Sequence, residues 1–229
     1  LLILLIMFKG KLNLTQYDYV DYDTSTINGC RHYVLDNACY PSITSVLGKT
    51  SNHDWYDEWI NRVGKDEAER KSKAATDRGT NVHLLLESFV LNKPIDFEYS
   101  ESEYKMFKTM IPHVNKIQEV VGQEIVLYSH QLEIAGRCDL IGYFDNELSI
   151  IDYKTSNYPK NKNDIEDYWI QTAFYAIAHN EMFNTNITNL VIIMGVNNKL
   201  PLVFKSKINQ SMIEKLNNRR NQFKEISNG

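Results

Sequence analysis

The sequence predicts an α/β or α+β fold: a mixed central sheet flanked by helices, with a helical N-terminal extension. Three observations predict it. The stretches 123–131, 134–144 and 147–154 are consecutive runs rich in β-branched and aromatic residues, divided by short polar breaks. A second pair of such runs, 188–197 and 200–206, follows only after a helical segment. Long helical patterns precede the first three strands and close the chain.

The elements follow in order. Residues 1–8 (LLILLIMF) are apolar but far too short to span a bilayer, and they lack the basic flank and cleavage site of a signal peptide. Residues 1–6 read as a translation artefact ahead of Met7 or as a short strand. Cys30 to Leu47 reads as a hairpin turning at Asp36-Asn37, then Pro41 and a short helix. Ser51-x-x-Asp54 opens a helix with Trp55, Trp59 and Ile60 at helical spacing. A second helix covers about 66–91, charged in its first half and apolar in its second, and Pro94 closes that region. Ser100-x-x-Glu103 is a capping box for a helix expected to run to about Val120, where Gly122 stops it. The three strands come next, with a turn at Asp145-Asn146. Asn163-Asp164 caps a helix to about Phe183, a hairpin turns at Asn197-Asn198-Lys199, and Ser211-x-x-Glu214 opens the terminal helix.

Composition narrows the function classes. Hydrophobic residues make up 43% of 229 positions and charged residues 24%, which supports a packed core and excludes global disorder. A binder driven by charge alone would be basic, whereas the net charge here is -4. An acidic metal-dependent site is compatible with that balance, because cations neutralise it. Cys30, Cys39 and Cys138 show no CxxC spacing, so neither a disulfide framework nor a zinc site is expected, and a reducing, cytoplasmic setting is. No apolar run approaches membrane length.

The stretch with chemistry is Gly136-Arg-Cys-Asp139 followed by Asp152-Tyr-Lys154. Side chains alternate along a strand, so Asp152 and Lys154 share one face with Leu148 and Ile150 upstream. Pairing of the 134–144 and 147–154 strands would bring Asp139 toward Asp152. Two converging carboxylates repel unless a cation or a proton lies between them, and hard oxygen ligands suit Mg²⁺ or Mn²⁺. A divalent ion activates water and neutralises phosphate, and an adjacent lysine stabilises developing charge. The backbone carbonyl of Tyr153 is expected to add a metal ligand. An isolated Asp-x-Lys is usually no more than a solvated ion pair. Two further pairs accompany this one: His83 and Glu87 on one helix face, and Gln171 and Tyr175 on another.

Taken in order, Gly79-Thr-x-x-His83-x-x-x-Glu87, Gly136-x-x-Asp139, Asp152-x-Lys154 and Gln171-x-x-x-Tyr175 resemble the motifs of the RecB-like branch of the PD-(D/E)XK nucleases. Tyr40-Pro-Ser-Ile-Thr-Ser-Val-Leu47 and Ile151-Asp-Tyr-Lys-Thr-Ser156 resemble the mitochondrial genome maintenance exonucleases and their phage relatives, over about residues 33–205. The resemblance implies a restriction-endonuclease-like core. It implies one nuclease domain over 1–229, with a hairpin and helical part to 122, a catalytic sheet core at 123–206 and a terminal helix at 207–229. It implies Asp139 and Asp152 as metal ligands, Lys154 as the catalytic lysine and His83 at the edge of the metal site, with Glu133 and Glu87 as further acidic candidates. Gln171, Tyr175, Arg78, Thr155 and Ser156 would position DNA. The cofactor would be Mg²⁺ or Mn²⁺, with no iron-sulfur cluster.

The implied activity is exonucleolytic hydrolysis of DNA, single-stranded ends favoured, alongside replication or recombination proteins. A catalytically silent DNA-binding relative and a structure- or site-specific endonuclease stand as alternatives. A eukaryotic member would be mitochondrial, although no transit peptide is visible. Basic residues at 62–78, 154–162 and 215–224 read equally as solvated faces or as phosphate contacts.

Overall fold

The computed structural model describes residues 7–52 and 54–228, with the side chains of Trp55 and Asn228 also outside the description. The expectation for residues 1–6 therefore lies outside the described residues, as does the packing expected of Trp55. The elements in chain order are β1 (Lys11–Leu12), β2 (Thr24–Ile27), β3 (Cys30–Leu35), β4 (Ala38–Pro41), α1 (Ile43–Thr50), α2 (Asp54–Val63), α3 (Lys65–Val90), α4 (Glu101–Val114), β5 (Ile117–Ser129), β6 (Ile134–Phe144) and β7 (Glu147–Ser156). A short 3-10 turn (Lys162–Ile165) leads into α5 (Glu166–Phe183), followed by β8 (Asn189–Val196), β9 (Leu202–Lys207) and α6 (Gln210–Asn228).

The central sheet is mixed, in the order β1-β5-β6-β7-β8-β9. Its β1–β5 and β7–β8 pairs are parallel and the others antiparallel. The parallel β7–β8 pair needs a long crossover, and α5 supplies it. A smaller antiparallel sheet, β2-β3-β4, stands beside it.

Alternation along the strands feeds two cores. Cys138, Ile141, Ile150, Ile192 and Met194 pack toward α1, α5 and α6. Leu140, Ile151, Tyr153, Val191 and Ile193 pack toward α3 and α4. Each fully buried Leu, Ile or Phe in these layers contributes roughly 1.5–3 kcal/mol. This is the mixed sheet flanked by helices that the sequence predicts.

Several boundaries differ from expectation. Ser51 ends α1 and Asn52 accepts the first amide of α2, Asn161 rather than Asn163 caps the turn before α5, and α6 starts at Gln210 with Asn209 as its cap. The helix expected to reach Val120 ends at Val114, and residues 117–122 begin β5 instead. Pro112 in the last turn removes one helical donor, and the β-branched Ile117, Val120 and Val121 suit a strand buried on both faces. β5 therefore starts at Ile117, not at 123, and β1 joins it as a parallel edge strand. β2 is an addition, joined to β3 through a two-residue turn at Asn28-Gly29, both left-handed. Among the described residues no helix is long and apolar enough to cross a membrane.

Candidate active site

β6 and β7 pair only from Phe144↔Glu147 to Leu140↔Ile151. Beyond that point β6 continues with β5 as far as Ser129↔Ile134, while β7 continues with β8 as far as Ser156↔Val196. The two strands part, and a cleft of about 620 Å³ opens where they do. Asp139 and Asp152 are the first residues past the split.

Asp139 is nearly buried, and its Oδ2 accepts the backbone N–H of Tyr153 at 2.7 Å. The carboxylate thus ties the two parted strands together. His83 on α3 places Nδ1 3.6 Å from the same oxygen, with its ring edge-on to Tyr153. Asp152 has no exposed surface, and Lys154 Nζ lies 2.5 Å from its Oδ2. The approach is a charge contact, and neither Asp152 oxygen receives a well-directed hydrogen bond. Burial pushes the Asp152 carboxyl up to about 6, against the pull of Lys154. Burial alone would lower the Lys154 ammonium, but Asp152 and Asp139 outweigh it and hold it above its ordinary value. Tyr168 supports the lysine, its ring centroid 5.1 Å from Nζ.

The structure adds Glu124, a residue the sequence reading missed. It lies on β5 between Gln123↔Leu140 and Ile125↔Cys138, hence opposite Asp139. Its φ is 51°, a left-handed conformation uncommon for a non-glycine residue. Arg137 donates to its backbone carbonyl. Burial, then Asp139 and Glu87, push its carboxyl up to about 8. His83, Glu124 and Asp139 each present one ligand atom within 4.8 Å of the others.

The remaining expectations divide. Glu87, Gln171 and Tyr175 line the cleft, and Gln171 Nε2 donates to the Tyr175 hydroxyl at 3.1 Å. Gly136 is a packing residue: a Cβ there would sit 2.9 Å from Ile43 on α1 and 2.9 Å from Tyr175 on α5. Arg78, Thr155 and Ser156 lie outside the cleft lining. Arg78 donates to Asn157 at 2.8 Å, and Ser156 binds the backbone of Tyr158.

Glu133 needs correction. It belongs to a separate, smaller cavity and is ion-paired with Arg220 and Lys224 of α6. It sits at the β5–β6 turn, six residues up the strand from Asp139, and Glu124 on the neighbouring strand brings the acidic group to the cleft. The basic runs are largely neutralised in place: Lys65, Arg70, Lys71 and Lys73 pair with acids one helical turn away, and Lys215 and Arg219 with Glu166 and Asp167.

These features fit a divalent cation. A fully buried carboxylate without a directed donor, a second carboxyl raised by its acidic neighbours and a histidine nitrogen beside them form a set that positive charge would satisfy. Asp139 and Glu124 could supply hard oxygens and His83 a nitrogen, with the Asp152 carboxylate buried close to Asp139.

The family description of the PD-(D/E)XK nuclease superfamily matches residues 98–227, more than half of the chain. The chain is 23% identical over 180 residues to Mitochondrial genome maintenance exonuclease 1 of Xenopus tropicalis, an alignment covering 73% of this chain and 51% of that protein. It therefore spans about half the length of this relative. The crystal structure of "Putative exonuclease" from Eubacterium rectale superposes with a TM-score of 0.43 at 10% identity, covering 64% of this chain and 63% of that one, a likeness too distant to carry an argument.

Proposed function

The chain belongs to the PD-(D/E)XK nuclease superfamily, and on that premise we propose that it is a Mg²⁺- or Mn²⁺-dependent deoxyribonuclease that hydrolyses DNA from single-stranded ends. The observation that carries this reading is the convergence of Asp139, Asp152 and Lys154 at the parting of β6 and β7. The single-strand preference rests on burial. Asp139 is nearly buried and Asp152 wholly so, and a flexible strand can bend a phosphate toward them at less cost than a stiff duplex. The Xenopus tropicalis relative is by name an exonuclease of mitochondrial genome maintenance, in keeping with an exonucleolytic mode and with replication or recombination proteins as partners.

Asp139, Asp152 and Glu124 would hold the metal, with the Tyr153 carbonyl and His83 as further ligands. When bound, the ion lowers the pKa of water and neutralises phosphate charge. Lys154, kept protonated by its two aspartates, donates to the phosphoryl oxygens as negative charge grows there. Tyr168 limits the swing of that ammonium. Asp139 fixes the Tyr153 amide, and with it the spacing of Asp152 from Lys154 along β7. The Gln171–Tyr175 pair presents polar groups from the opposite face to orient the strand. The whole of 1–229 acts in this reading as one nuclease domain.

End-labelled single- and double-stranded DNA incubated with Mg²⁺ or Mn²⁺ tests the proposal. Wild type should shorten the single strand from an end and spare a circular one, and Lys154→Ala should reduce turnover by about 10²–10³-fold. A wild-type protein inert on every DNA form with both metals would sink the reading.

A further inference from the structure

The Tyr40–Leu47 segment contributes none of the groups assigned above, yet it builds one wall of the cleft. Ser42 caps α1, and its backbone N–H donates to the carbonyl of Arg31 on β3 at 2.8 Å. Ser45 completes the tie, its hydroxyl accepting the Arg31 N–H at 3.0 Å. Ser42 also bridges to Ala135 on β6, next to Gly136. The backbone of Arg31 is thus pinned to the same strand that carries Asp139, while its side chain stays exposed and lines the cleft with Thr44.

The other basic side chains of the cleft are engaged: His83 with Asp139, Lys154 with Asp152, and Arg137 with Asp21 and the Glu124 carbonyl. The guanidinium of Arg31 has no hydrogen-bonding, ionic or ring partner among the described residues, although Glu87 and Glu124 line the same cleft. A planar five-donor fork left free beside a phosphodiester site is shaped for a pair of phosphate oxygens.

We propose that Arg31, with the Thr44 hydroxyl beside it, binds the backbone phosphate next to the scissile one, so that the cleft grips a single strand at two phosphates. The inference rests on the nuclease reading and adds a positioning residue to it. The grip belongs to the β3–α1 wall, not to the α3–β7 wall that holds His83 and Lys154.

Kinetics and binding of Arg31→Ala test it. KM for a single-stranded oligonucleotide should rise about tenfold with kcat within about twofold, the loss of one charge-assisted contact. The p-nitrophenyl ester of thymidine 5′-monophosphate has no second phosphate, and its hydrolysis should be unchanged. In fluorescence anisotropy with Ca²⁺, the slope of log affinity against log salt should flatten by about 0.7. Arg31→Lys should restore that slope but not the full KM, because a point charge replaces a fork. A methylphosphonate at the phosphate next to the scissile one should cost wild type the same factor and cost Arg31→Ala nothing further.

Active wild type with an unchanged KM in Arg31→Ala would overturn the inference and leave the nuclease reading standing. So would indifference of wild type to the methylphosphonate, an arm that needs no variant to fold. Inert wild type overturns the nuclease reading, and the salt slopes of the two proteins then decide Arg31 by themselves.

Discussion

Glu124 combines a left-handed backbone, a cost of about 1–3 kcal/mol for a non-glycine residue, with a carboxyl pushed up to about 8 by burial and its acidic neighbours. A cation bound beside it would favour its charged form. Glu124→Gln should therefore weaken Mn²⁺ binding at least about tenfold by calorimetry, a loss typical of residues that tune a metal site, while raising the melting temperature of the metal-free protein. A lowered metal-free melting temperature with unchanged Mn²⁺ affinity would show that the residue serves the fold alone. Lys154 makes the complementary case. Its ammonium is the close ionic partner of a fully buried carboxylate, so Lys154→Ala should destabilise the metal-free protein by about 3–5 kcal/mol in urea unfolding. The double variant Lys154→Ala with Asp152→Asn should recover part of that loss.

At the scale of elements, the site depends on how closely α1 and α5 approach β6. Gly136 permits the contact, since a Cβ there would press on Ile43 and Tyr175 at 2.9 Å. Gly136→Ala should cost about 1–3 kcal/mol in a denaturant titration and lower activity with it, because the displaced Tyr175 carries the Gln171 contact. Arg219 of α6 holds α1 from its other end. It donates to the carbonyls of Thr50 and Leu47, to Ser51 and to Asp167 of α5. Three of these acceptors lie at the carboxyl end of α1, where a cation is favoured. Loss of that clamp should loosen the β3–α1 wall before the α3–β7 wall, which hydrogen exchange of residues 43–50 in Arg219→Ala would register.

For the whole molecule, His179 should add a pH-dependent contribution to stability on the acid side. It is fully buried between Tyr17, Tyr19 and Phe183, with Tyr19 and Thr185 on its two ring nitrogens, and burial pushes its pKa down to about 4. The unfolded chain takes up that proton near the ordinary value of about 6.5, whereas the folded chain does so only near 4. The contribution of His179 is therefore complete above pH 6.5, falls as pH drops through the window from 6.5 to 4, and levels off below it. At ~1.4 kcal/mol per unit the loss approaches about 3 kcal/mol. Glu124 and Asp152, whose carboxyls are raised, act in the opposite direction in both proteins, so the test is the difference: between pH 7.5 and pH 5 the urea midpoint of wild type should lose ground to that of His179→Asn. Equal slopes for both proteins would show that His179 contributes nothing to the pH dependence.

The strand and helix order, the mixed sheet and the pairing of Asp152 with Lys154 on one strand face were legible along the chain, because alternation and capping are local properties. Asp139, His83, Gln171 and Tyr175 were legible because each belongs to a short spaced motif. Glu124 was not: it stands in no such motif, and only the pairing of β5 with β6 and an unusual φ bring it opposite Asp139. The Asn28-Gly29 turn is a local signal for β2, whose segment Thr24–Ile27 is mostly polar and exposed. Sequence by itself determined which residues could do the chemistry. Tertiary structure decided which acid lines the cleft with them, placing Glu124 there and Glu133 elsewhere, and left Arg31 unpaired among the described residues. The physical reason is that periodicity sets the direction of a side chain from its own strand, whereas proximity between strands depends on register, bulges and the point at which two neighbours part.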